Sequence, residues 1–217
     1  MKLCLQKYMS WLLISNVVTV TVATPFVAYY PSGCTLNNSA AGVTGTCTCI
    51  KDTVTGKIWT TAGNNDDTWT NWCTHTSGAT GYDANCPATS NKLDTWNGSS
   101  QCGLTGGWHL PTAGSASSAS LSGSNPGGDW SDLYTLAISG SASPGSAYAS
   151  GGDLSVWMNN NGFMNISNSN SCTGNTCPGF YWSSQSYDAS NAWGVVMYNG
   201  YVGTDYNTYN NGVLLVR

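Results

Sequence analysis

The last 37 residues, from Tyr181 to Arg217, limit the choice of fold more than any other part of the chain. Short apolar runs alternate there with Tyr, Asn, Ser and Gly, and alternation with a period of two is typical of half-buried β-strands. Between two such runs lies Asn199-Gly200, a dipeptide that strongly favours a tight hairpin turn. The segment therefore predicts a terminal β-hairpin on a frame of buried apolar residues. The frame consists of Trp182, Trp193, Val195, Met197, Val202, Val213 and Val216.

Charged residues are scarce, and this limits the classes of partner. Only 7% of the 217 residues are charged, compared with about 25% in ordinary soluble domains. Ten Trp and twelve Tyr still supply enough apolar area for a core, so we expect an ordered fold. All ten acidic residues are Asp, a turn and cap former, and Glu, a helix former, is absent. The composition favours a loop-rich chain with little helix, and the lack of a basic cluster argues against nucleic-acid binding.

Short helices and short strands are both predicted, which places the chain in the α+β class. Helices are predicted over Pro87–Trp96 and from Asp129, which would be the N-cap of the second helix. In both segments, apolar residues recur at helical spacing. Strands are predicted at Ile58–Thr61, Leu154–Met158, Gly179–Ser183, Ala192–Tyr198, Tyr201–Val202 and Val213–Val216.

Residues 1–23 have the pattern of an export signal. Lys2 and Lys7 precede an apolar run that ends in small residues, as in a cleaved secretory signal. Polar residues interrupt this run, which makes it a poor membrane span. We therefore expect an exported protein, extracellular or on the cell surface, with an N-terminal disulfide-containing extension at 24–49 and a ligand-binding domain at 50–217. The alternative is a retained anchor or pilin-like helix, and only that anchor would bring the chain to a membrane.

Eight cysteines follow the signal, and an even number in an exported chain predicts disulfide bonds. Cys172 and Cys177 enclose a short, turn-rich loop and form the most plausible pair. An alternative for Cys34 is lipidation, since small residues precede it, although this would leave an odd number of cysteines. The other expected partners are Cys34 with Cys47 or Cys49, and Cys73 with Cys86, and Cys102 completes the set of eight.

Three segments of the chain carry motifs that occur together in one protein family. Asp52–Trp59 is similar to a D-x-x-T-G-L-x-W opening, and Gly107–Thr112 is similar to a G-W-R-L-P-T centre. The closing segment runs from Tyr181-Trp182 to Val216-Arg217. Together, and in this order, the segments resemble the family typified by the C-terminal domain of the Legionella collagen-like adhesin, and the resemblance spans about residues 50–217. It implies a C-type-lectin-like fold with a small mixed or antiparallel sheet, two short helices and long loops that carry the ligand site. Relatives act in adhesion, and some are variable targets of diversity-generating retroelements.

The chain departs from the family pattern at three places. His109 stands where the family usually has Arg, and the Glu-Leu pair expected soon after Pro111-Thr112 is missing. Leu214 occupies a position that is Arg in the common ending. The polar contacts of those family residues are therefore not carried over to this chain. Because cations are few, we do not expect binding to sulfated glycans.

The carboxyl-terminal tail carries the predicted ligand site. Five tyrosines lie between positions 187 and 209, more than solubility requires, and exposed aromatic residues usually mark contact sites. We expect them to bind a cell-surface protein or glycan, while the apolar frame serves as scaffold. The alternative is that Tyr and Asn only cover an exported β surface. The predicted ligand-binding residues are Tyr187, Asp188, Ser190, Asn191, Tyr198, Tyr201, Asp205, Tyr206, Asn207, Tyr209 and Asn210.

Catalysis and metal binding have little support in the sequence. A catalytic triad needs a His with a positioned Ser or Cys and an orienting Asp, and no nucleophile-elbow motif is present, so we do not expect an enzyme. We interpret His75 as a neighbour of the disulfide cysteine Cys73 rather than as a metal ligand. No cofactor is predicted, and Ca²⁺ at the oxygen-rich segment 64–67 or in the Asp205 loop stays open.

A different class of function is also compatible with the sequence. If the N-terminal helix is retained, the chain would be a structural subunit of a pilus-like surface filament, or would form a homo-oligomer. The mass of the mature N-terminus separates this hypothesis from a free adhesin, because only the filament subunit would keep residues 1–23.

Overall fold

The computed structural model describes residues 25–62, 66–89, 91–113, 128–140, 154–167, 169, 171–198 and 200–217. These residues form a mixed α/β structure with predominantly antiparallel strand pairing, a few short helices and four disulfides. Three predictions concern residues outside these ranges: the signal or anchor at 1–23, the first half of the calcium candidate at 64–65, and Asn199 of the hairpin turn.

An antiparallel sheet with its strands in chain order lies at the start of the described chain. The turn between its second and third strands is closed by the Asp52 carboxylate, which accepts hydrogen bonds from two backbone N–H groups and from the Thr55 hydroxyl. Phe26 is fully buried in the core, so the predicted extension at 24–49 shares its hydrophobic core with segment 50–217. The strands are β1 (Phe26–Tyr30), β2 (Cys49–Asp52) and β3 (Ile58–Thr60).

Four short α-helices are described, and two of them were predicted. The helix Lys92–Asn97 begins with a capping box, in which Asn91 and Asp94 exchange side-chain and backbone hydrogen bonds. This box explains why the helix starts later than the predicted Pro87. In the described part of the chain, no helix combines the length and apolar character needed to cross a bilayer. The helices are α1 (Trp69–Trp72), α2 (Lys92–Asn97), α3 (Asp129–Gly140) and α4 (Leu154–Asn160), and Ser39–Ala41 forms a 3-10 turn.

The larger sheet contains the predicted terminal hairpin. Its strands are β6 (Thr176–Ser186), β7 (Asn191–Val196), β8 (Tyr201–Tyr206) and β9 (Asn210–Gly212). They lie in the order β8-β7-β6-β9, and β9 pairs parallel to β6 while the other pairs are antiparallel. The hairpin of β7 and β8 is confirmed, but Tyr201 pairs with Val196, so the connection spans 197–200. Gly200 has φ +67°, a conformation in which Gly carries no steric cost. A separate two-stranded sheet consists of β4 (Ser100–Gln101) and β5 (Leu104–Thr105).

A separate hydrophobic cluster packs against each face of this sheet. Trp193 and Val195 point into the first cluster, together with Trp59, Trp130 and Phe163. The neighbouring residue Ala192 points the opposite way, because side chains alternate along a strand. It packs in the second cluster with Trp182, which is why the frame residues belong to two cores. The predicted frame is buried throughout: Trp182, Trp193, Val195, Met197, Val202, Val213 and Val216.

Two of the predicted strands are wrong. Leu154–Met158 is the first part of helix α4: Leu154 and Met158, four residues apart, are buried, whereas Val156 between them is exposed. This is the spacing of a helix that is buried on one side. The segment Val213–Val216 is extended and buried but is not a regular strand, and Val216 forms isolated bridges to Trp59 and His109.

Four disulfides link the eight cysteines of the described chain. Two of the predicted pairs are confirmed, and Cys34 pairs with Cys47 rather than with Cys49. Cys49 pairs instead with Cys102, which the sequence spacing did not indicate. This bond ties strand β2 to the end of strand β4. The complete set is Cys34–Cys47, Cys49–Cys102, Cys73–Cys86 and Cys172–Cys177.

Candidate ligand-binding surface

Strand β8 forms one edge of the larger sheet, and exposed tyrosines gather along it. Tyr201 and Tyr206 begin and end this strand, and Tyr187 lies in the loop that joins β6 to β7. Their side chains are 47%, 54% and 61% exposed, respectively. We call strand β8 with this β6–β7 loop the tyrosine edge. Rings exposed to this degree are available to contact another molecule, and Tyr supplies contact area at a low cost in conformational entropy.

The structure brings most of the predicted site residues together at one end of the sheet. Tyr206 pairs with Asn191 across β7 and β8, and its ring contacts that of Tyr209, with 5.2 Å between the centroids. The loop after β8 is tied to the β6–β7 loop, since the Asn207 backbone N–H donates to Ser190. Tyr198 and Tyr201 lie at the other end of the hairpin. The residues gathered at the first end are Tyr187, Asp188, Ser190, Asn191, Asp205, Tyr206, Asn207 and Tyr209, and Asn210 starts strand β9.

The β6–β7 loop is held in place by one carboxylate. Asp188 Oδ1 accepts hydrogen bonds from the backbone N–H groups of Ser190 and Asn191 at 2.7 and 2.8 Å, and from the Asn191 side chain at 3.0 Å. The bond from Ser190 is the main cause that holds the pKa of Asp188 below its usual value, followed by the Asn191 side chain. The loop beside Tyr187 is therefore pre-organised, which reduces the entropy lost on binding.

A shallow groove follows the tyrosine edge. It has a volume of about 470 Å³ and runs between the rings of Tyr187 and Tyr201, past Phe180 and Gly203. A Cβ atom on Gly203 would lie 3.0 Å from the Tyr201 ring, so the absence of a side chain there lets this ring lie back along the strand. A second groove of about 310 Å³ shares Phe180 and extends to the Cys172–Cys177 disulfide. The surface is long and open rather than a deep pocket.

The side chains of two predicted site residues, Asn207 and Asp205, form hydrogen bonds within the protein. Asn207 is 8% exposed, and its amide nitrogen donates to the Ala189 carbonyl oxygen at 3.0 Å. The Asp205 carboxylate accepts from the Tyr206 backbone N–H and from the Asn211 side chain. These residues hold the loops at the tyrosine edge, so we no longer expect Asn207 to contact a ligand.

Phe180 and Gly203 line the groove but were not predicted from the sequence. Phe180 belongs to strand β6, outside the hairpin on which the prediction concentrated. Gly203 lies directly opposite Gly194 in the ladder of β7 and β8. Two glycines within one predicted hairpin are a signal of close approach between backbone and another group, and this signal could have located the groove.

A polar network surrounds the buried Asp129 carboxylate at the start of α3. Its Oδ2 accepts from the Thr112 backbone N–H at 2.8 Å and lies 3.3 Å from His109 Nε2. Its Oδ1 lies 2.8 Å from Lys57 Nζ, which also pairs with Asp132. Asp129 is the first residue of helix α3. Its hydrogen bonds with Thr112 connect the start of this helix to the segment around Thr112. Asp129 also supplies His109 with an acidic partner.

This network makes the fold sensitive to acid. Burial raises the pKa of Asp129. The hydrogen bonds from His109, Lys57 and Thr112 lower the pKa by a larger amount, so it lies well below its usual value. The stabilisation is complete above the pKa of the unfolded chain, about 3.9, and is lost as pH falls below that value. Burial also lowers the pKa of Lys57, but the bonds to Asp129 and Asp132 raise it above its usual value.

We expect the free energy of unfolding to fall between about pH 5 and pH 2, and to fall less steeply in Asp129→Asn. At pH 7 this variant should be destabilised by about 2 kcal/mol, because Lys57 and His109 lose their charged partner. Urea denaturation followed by tryptophan fluorescence at several pH values measures both effects. If the free energy of unfolding of Asp129→Asn changed with pH as steeply as that of the wild type, Asp129 would not be the source of the acid sensitivity. The matched control is Asp132→Asn, because Asp132 is more exposed.

His109 has no geometry that suits a catalytic base. It is buried, its Nδ1 faces the Gly107 carbonyl oxygen at 3.2 Å and its Nε2 faces Asp129. Both ring nitrogens are thus directed at oxygen atoms of the protein, a backbone carbonyl and a carboxylate. Within the described ranges, no group of three or more His, Cys, Asp or Glu residues is arranged to hold a metal ion.

The second acidic centre is Asp67, in the segment that the sequence offered for Ca²⁺. Its carboxylate accepts hydrogen bonds from Trp72 Nε1 at 2.8 Å, from Asn71 Nδ2 at 2.9 Å and from Lys92. Its backbone carbonyl oxygen accepts from Trp182 Nε1 at 2.8 Å. Burial raises the pKa of Asp67, but these bonds, led by Lys92, lower it below its usual value overall. The carboxylate is thus directed at protein donors and joins α1, α2 and β6.

Comparison with known proteins adds no assignment to this geometry. The chain has no match among models of protein families, among curated proteins or among solved structures.

Proposed function

We propose that this protein is an exported adhesin that binds a cell-surface protein or glycan through its tyrosine edge. The observation that carries the proposal is the gathering of three exposed tyrosine rings, Tyr187, Tyr201 and Tyr206, on one braced edge of a rigid sheet. Tyr187 and Tyr201 also line a groove, and exposed tyrosines are typical of recognition surfaces, because each ring offers both apolar area and a hydroxyl group.

The proposed mechanism is passive binding by a pre-organised surface. The sheet that carries the edge packs against one hydrophobic cluster on each face, and the loops are held by Asp188 and Asn207. A ligand then meets side chains whose positions are already restricted, which limits the ordering entropy lost on binding. Asp188 and Asp205 give the surface an acidic character, which favours a neutral or basic ligand over a sulfated glycan.

We further propose that the chain belongs to the C-type-lectin-like family that its motifs resemble. In support, the three motif segments meet in space: Val216 of the closing segment pairs with Trp59 of the opening and with His109 of the centre. The mixed sheet and the short helices agree with the architecture that this resemblance implies. The four disulfides support export, since such bonds persist in oxidising compartments.

The tyrosine edge can be tested by substitution. We expect Tyr187→Ala and Tyr206→Ala each to weaken binding to the cognate ligand by about fivefold or more, because truncation of aromatic residues at the centre of an interface often costs over about 1 kcal/mol. Protein and glycan arrays probed with the wild-type chain would identify the ligand. Titration calorimetry with the strongest hit would then compare the variants.

Tyr30→Ala is the matched control for this experiment. Tyr30 is 41% exposed but ends strand β1 of the amino-terminal sheet, and it lines neither groove of the tyrosine edge. Binding should be the same in this variant and in the wild type. If Tyr30→Ala weakened binding while Tyr187→Ala and Tyr206→Ala did not, the tyrosine edge would be the wrong surface.

The division between a buried frame and an exposed polar set also supports the proposal that the tail is a hypervariable retroelement target. Exposed positions such as Tyr187, Ser190 and Tyr206 can change without altering the buried residues Trp193 and Val195. The gene provides the test. A near-copy of its 3′ end beside a reverse transcriptase gene, differing only at adenines, is the expected finding, and the absence of such a copy would reject this part of the proposal.

A further inference from the structure

A second cavity lies between the amino-terminal sheet and the two short helices α1 and α2. It has a volume of about 340 Å³ and shares no lining residue with the grooves of the tyrosine edge. Its lining is mostly apolar, and it includes the rings of Trp72 and Trp96 and the side chain of Leu215. We call it the tryptophan cavity. Ligand sites in proteins are typically concave, largely apolar and at least about 300 Å³ in volume.

The floor of the tryptophan cavity carries two hydroxyl groups that already donate hydrogen bonds to backbone carbonyl oxygens. Thr61 Oγ1 donates to the Cys47 carbonyl oxygen at 2.6 Å. Thr60 Oγ1 accepts from the Leu215 backbone N–H at 3.0 Å and donates to its carbonyl oxygen. Both threonines are buried. Both hydroxyl protons are therefore engaged, so an acceptor group of a ligand finds no free hydroxyl donor on these two threonines and would lose hydrogen bonds to water.

The walls favour a flat ring. Trp72 and Trp96 pack edge to face, with their ring centroids 5.9 Å apart and an angle of 69° between the planes. Trp72 is fixed in this orientation because its Nε1 donates to Asp67. Aromatic pairs prefer edge-to-face or offset-stacked contacts, and a third ring can join such a pair in the same way.

Polar side chains are placed at the mouth of the cavity instead. Ser100 is exposed, and Gln101 beside it is half-buried and donates to Ser99. The cavity thus combines an apolar floor with a polar rim, which suits an amphipathic molecule. An engineered apolar cavity of about 150 Å³ is enough to bind benzene, so this larger volume suits a bicyclic ring with a small polar group.

We propose that the tryptophan cavity is a binding site for a small aromatic molecule of indole size, with the ring against Trp72 and Trp96 and the polar group at Ser100 and Gln101. The proposal rests on this cavity alone and is independent of the function assigned to the tyrosine edge. It gives the protein a second, small-molecule ligand on a different part of its surface.

The site can be tested with indole as the probe, added to the full-length, disulfide-bonded chain. We expect saturable binding in titration calorimetry with a dissociation constant below about 1 mM. In Ser100→Trp, the new side chain would cover the mouth or enter the cavity, and indole binding should weaken at least about tenfold. Ser77→Trp is the matched control: Ser77 is exposed and does not line the cavity, so this variant should bind indole as the wild type does.

A second measurement does not depend on any variant. In the wild-type protein, indole should give nuclear Overhauser effects to the methyl groups of Met164, Val213 and Leu215, which line the cavity. Absence of saturable binding up to about 10 mM, or equal binding in Ser100→Trp and the wild type, would overturn the proposal. Binding of glucose in place of indole, blocked by Ser100→Trp, would also overturn it, because the occupant would then be a polar ring.

Discussion

Replacement of Asp67 by Ala is expected to lower the free energy of unfolding by about 2–4 kcal/mol. The carboxylate is buried and accepts hydrogen bonds from Trp72, Asn71 and Lys92. Lys92 is exposed enough to turn toward water, so most of the loss comes from the Trp72 indole N–H and the amide of Asn71. Both would be left in the protein without an acceptor.

Urea denaturation followed by tryptophan fluorescence measures the effect, and Asp66→Ala provides the control. Asp66 is the neighbouring residue and carries the same charge, but its side chain is exposed. The control should change stability by less than about 0.5 kcal/mol. Equal destabilisation in the two variants would mean that the loss of negative charge matters rather than the network around Asp67. The structural account of α1 and α2 would then be wrong.

Gly194→Ala is expected to destabilise the protein by about 3 kcal/mol or more. A Cβ atom at position 194 would lie 2.5 Å from the Tyr181 carbonyl oxygen and would overlap the Phe180 ring. The oxygen belongs to the central strand β6 and cannot withdraw without disturbing its pairing with β7. Overpacking of a well-packed site typically costs about 1–3 kcal/mol, and a clash with the backbone places this variant at or above the upper end.

The opposite glycine of the same ladder is the matched control. Gly203 pairs directly with Gly194, but its nearest neighbour would be the edge of the exposed Tyr201 ring, which can rotate away. Gly203→Ala should therefore cost about 1 kcal/mol or less. Thermal unfolding by circular dichroism compares the two variants. If Gly203→Ala were the more damaging, the packing of Phe180 against β7 would not be as described.

The terminal hairpin was predictable because its information is local. Trp193, Val195 and Met197 alternate with smaller residues, and Gly200 supplies the positive φ that the turn requires. The buried frame follows from the same alternation. The disulfide Cys172–Cys177 was also local, since only a short loop separates the two residues.

Other features depend on contacts between distant segments. Cys49–Cys102 joins residues 53 positions apart, and no spacing rule identifies such a pair. Asp67 was considered as a calcium ligand because its oxygen-rich surroundings were visible in the sequence, while its donors from α1 and α2 were not. Leu154–Met158 was predicted as a strand because a short apolar run does not distinguish a strand from one side of a helix.

The candidate site was predictable in its composition but not in its geometry. Tyr187 and Tyr206 are exposed as expected, yet Asn207 serves as a brace between two loops. The sequence identifies side chains suited to binding, but exposure and bracing depend on how the loops meet. Phe180, which lines both grooves, was missed. It belongs to strand β6, and only the pairing of β6 with β7 places its ring beside the groove residues of the hairpin.

Covalent footprinting of tyrosine side chains, with and without the ligand found on the arrays, tests most directly whether the tyrosine edge is the binding surface. Nitration followed by mass spectrometry reports the accessibility of each ring. We predict that Tyr187 and Tyr206 react in the free protein and are protected in the complex, while Tyr30 of strand β1 reacts equally in both states. Protection of Tyr30 with no change at Tyr187 and Tyr206 would contradict the account.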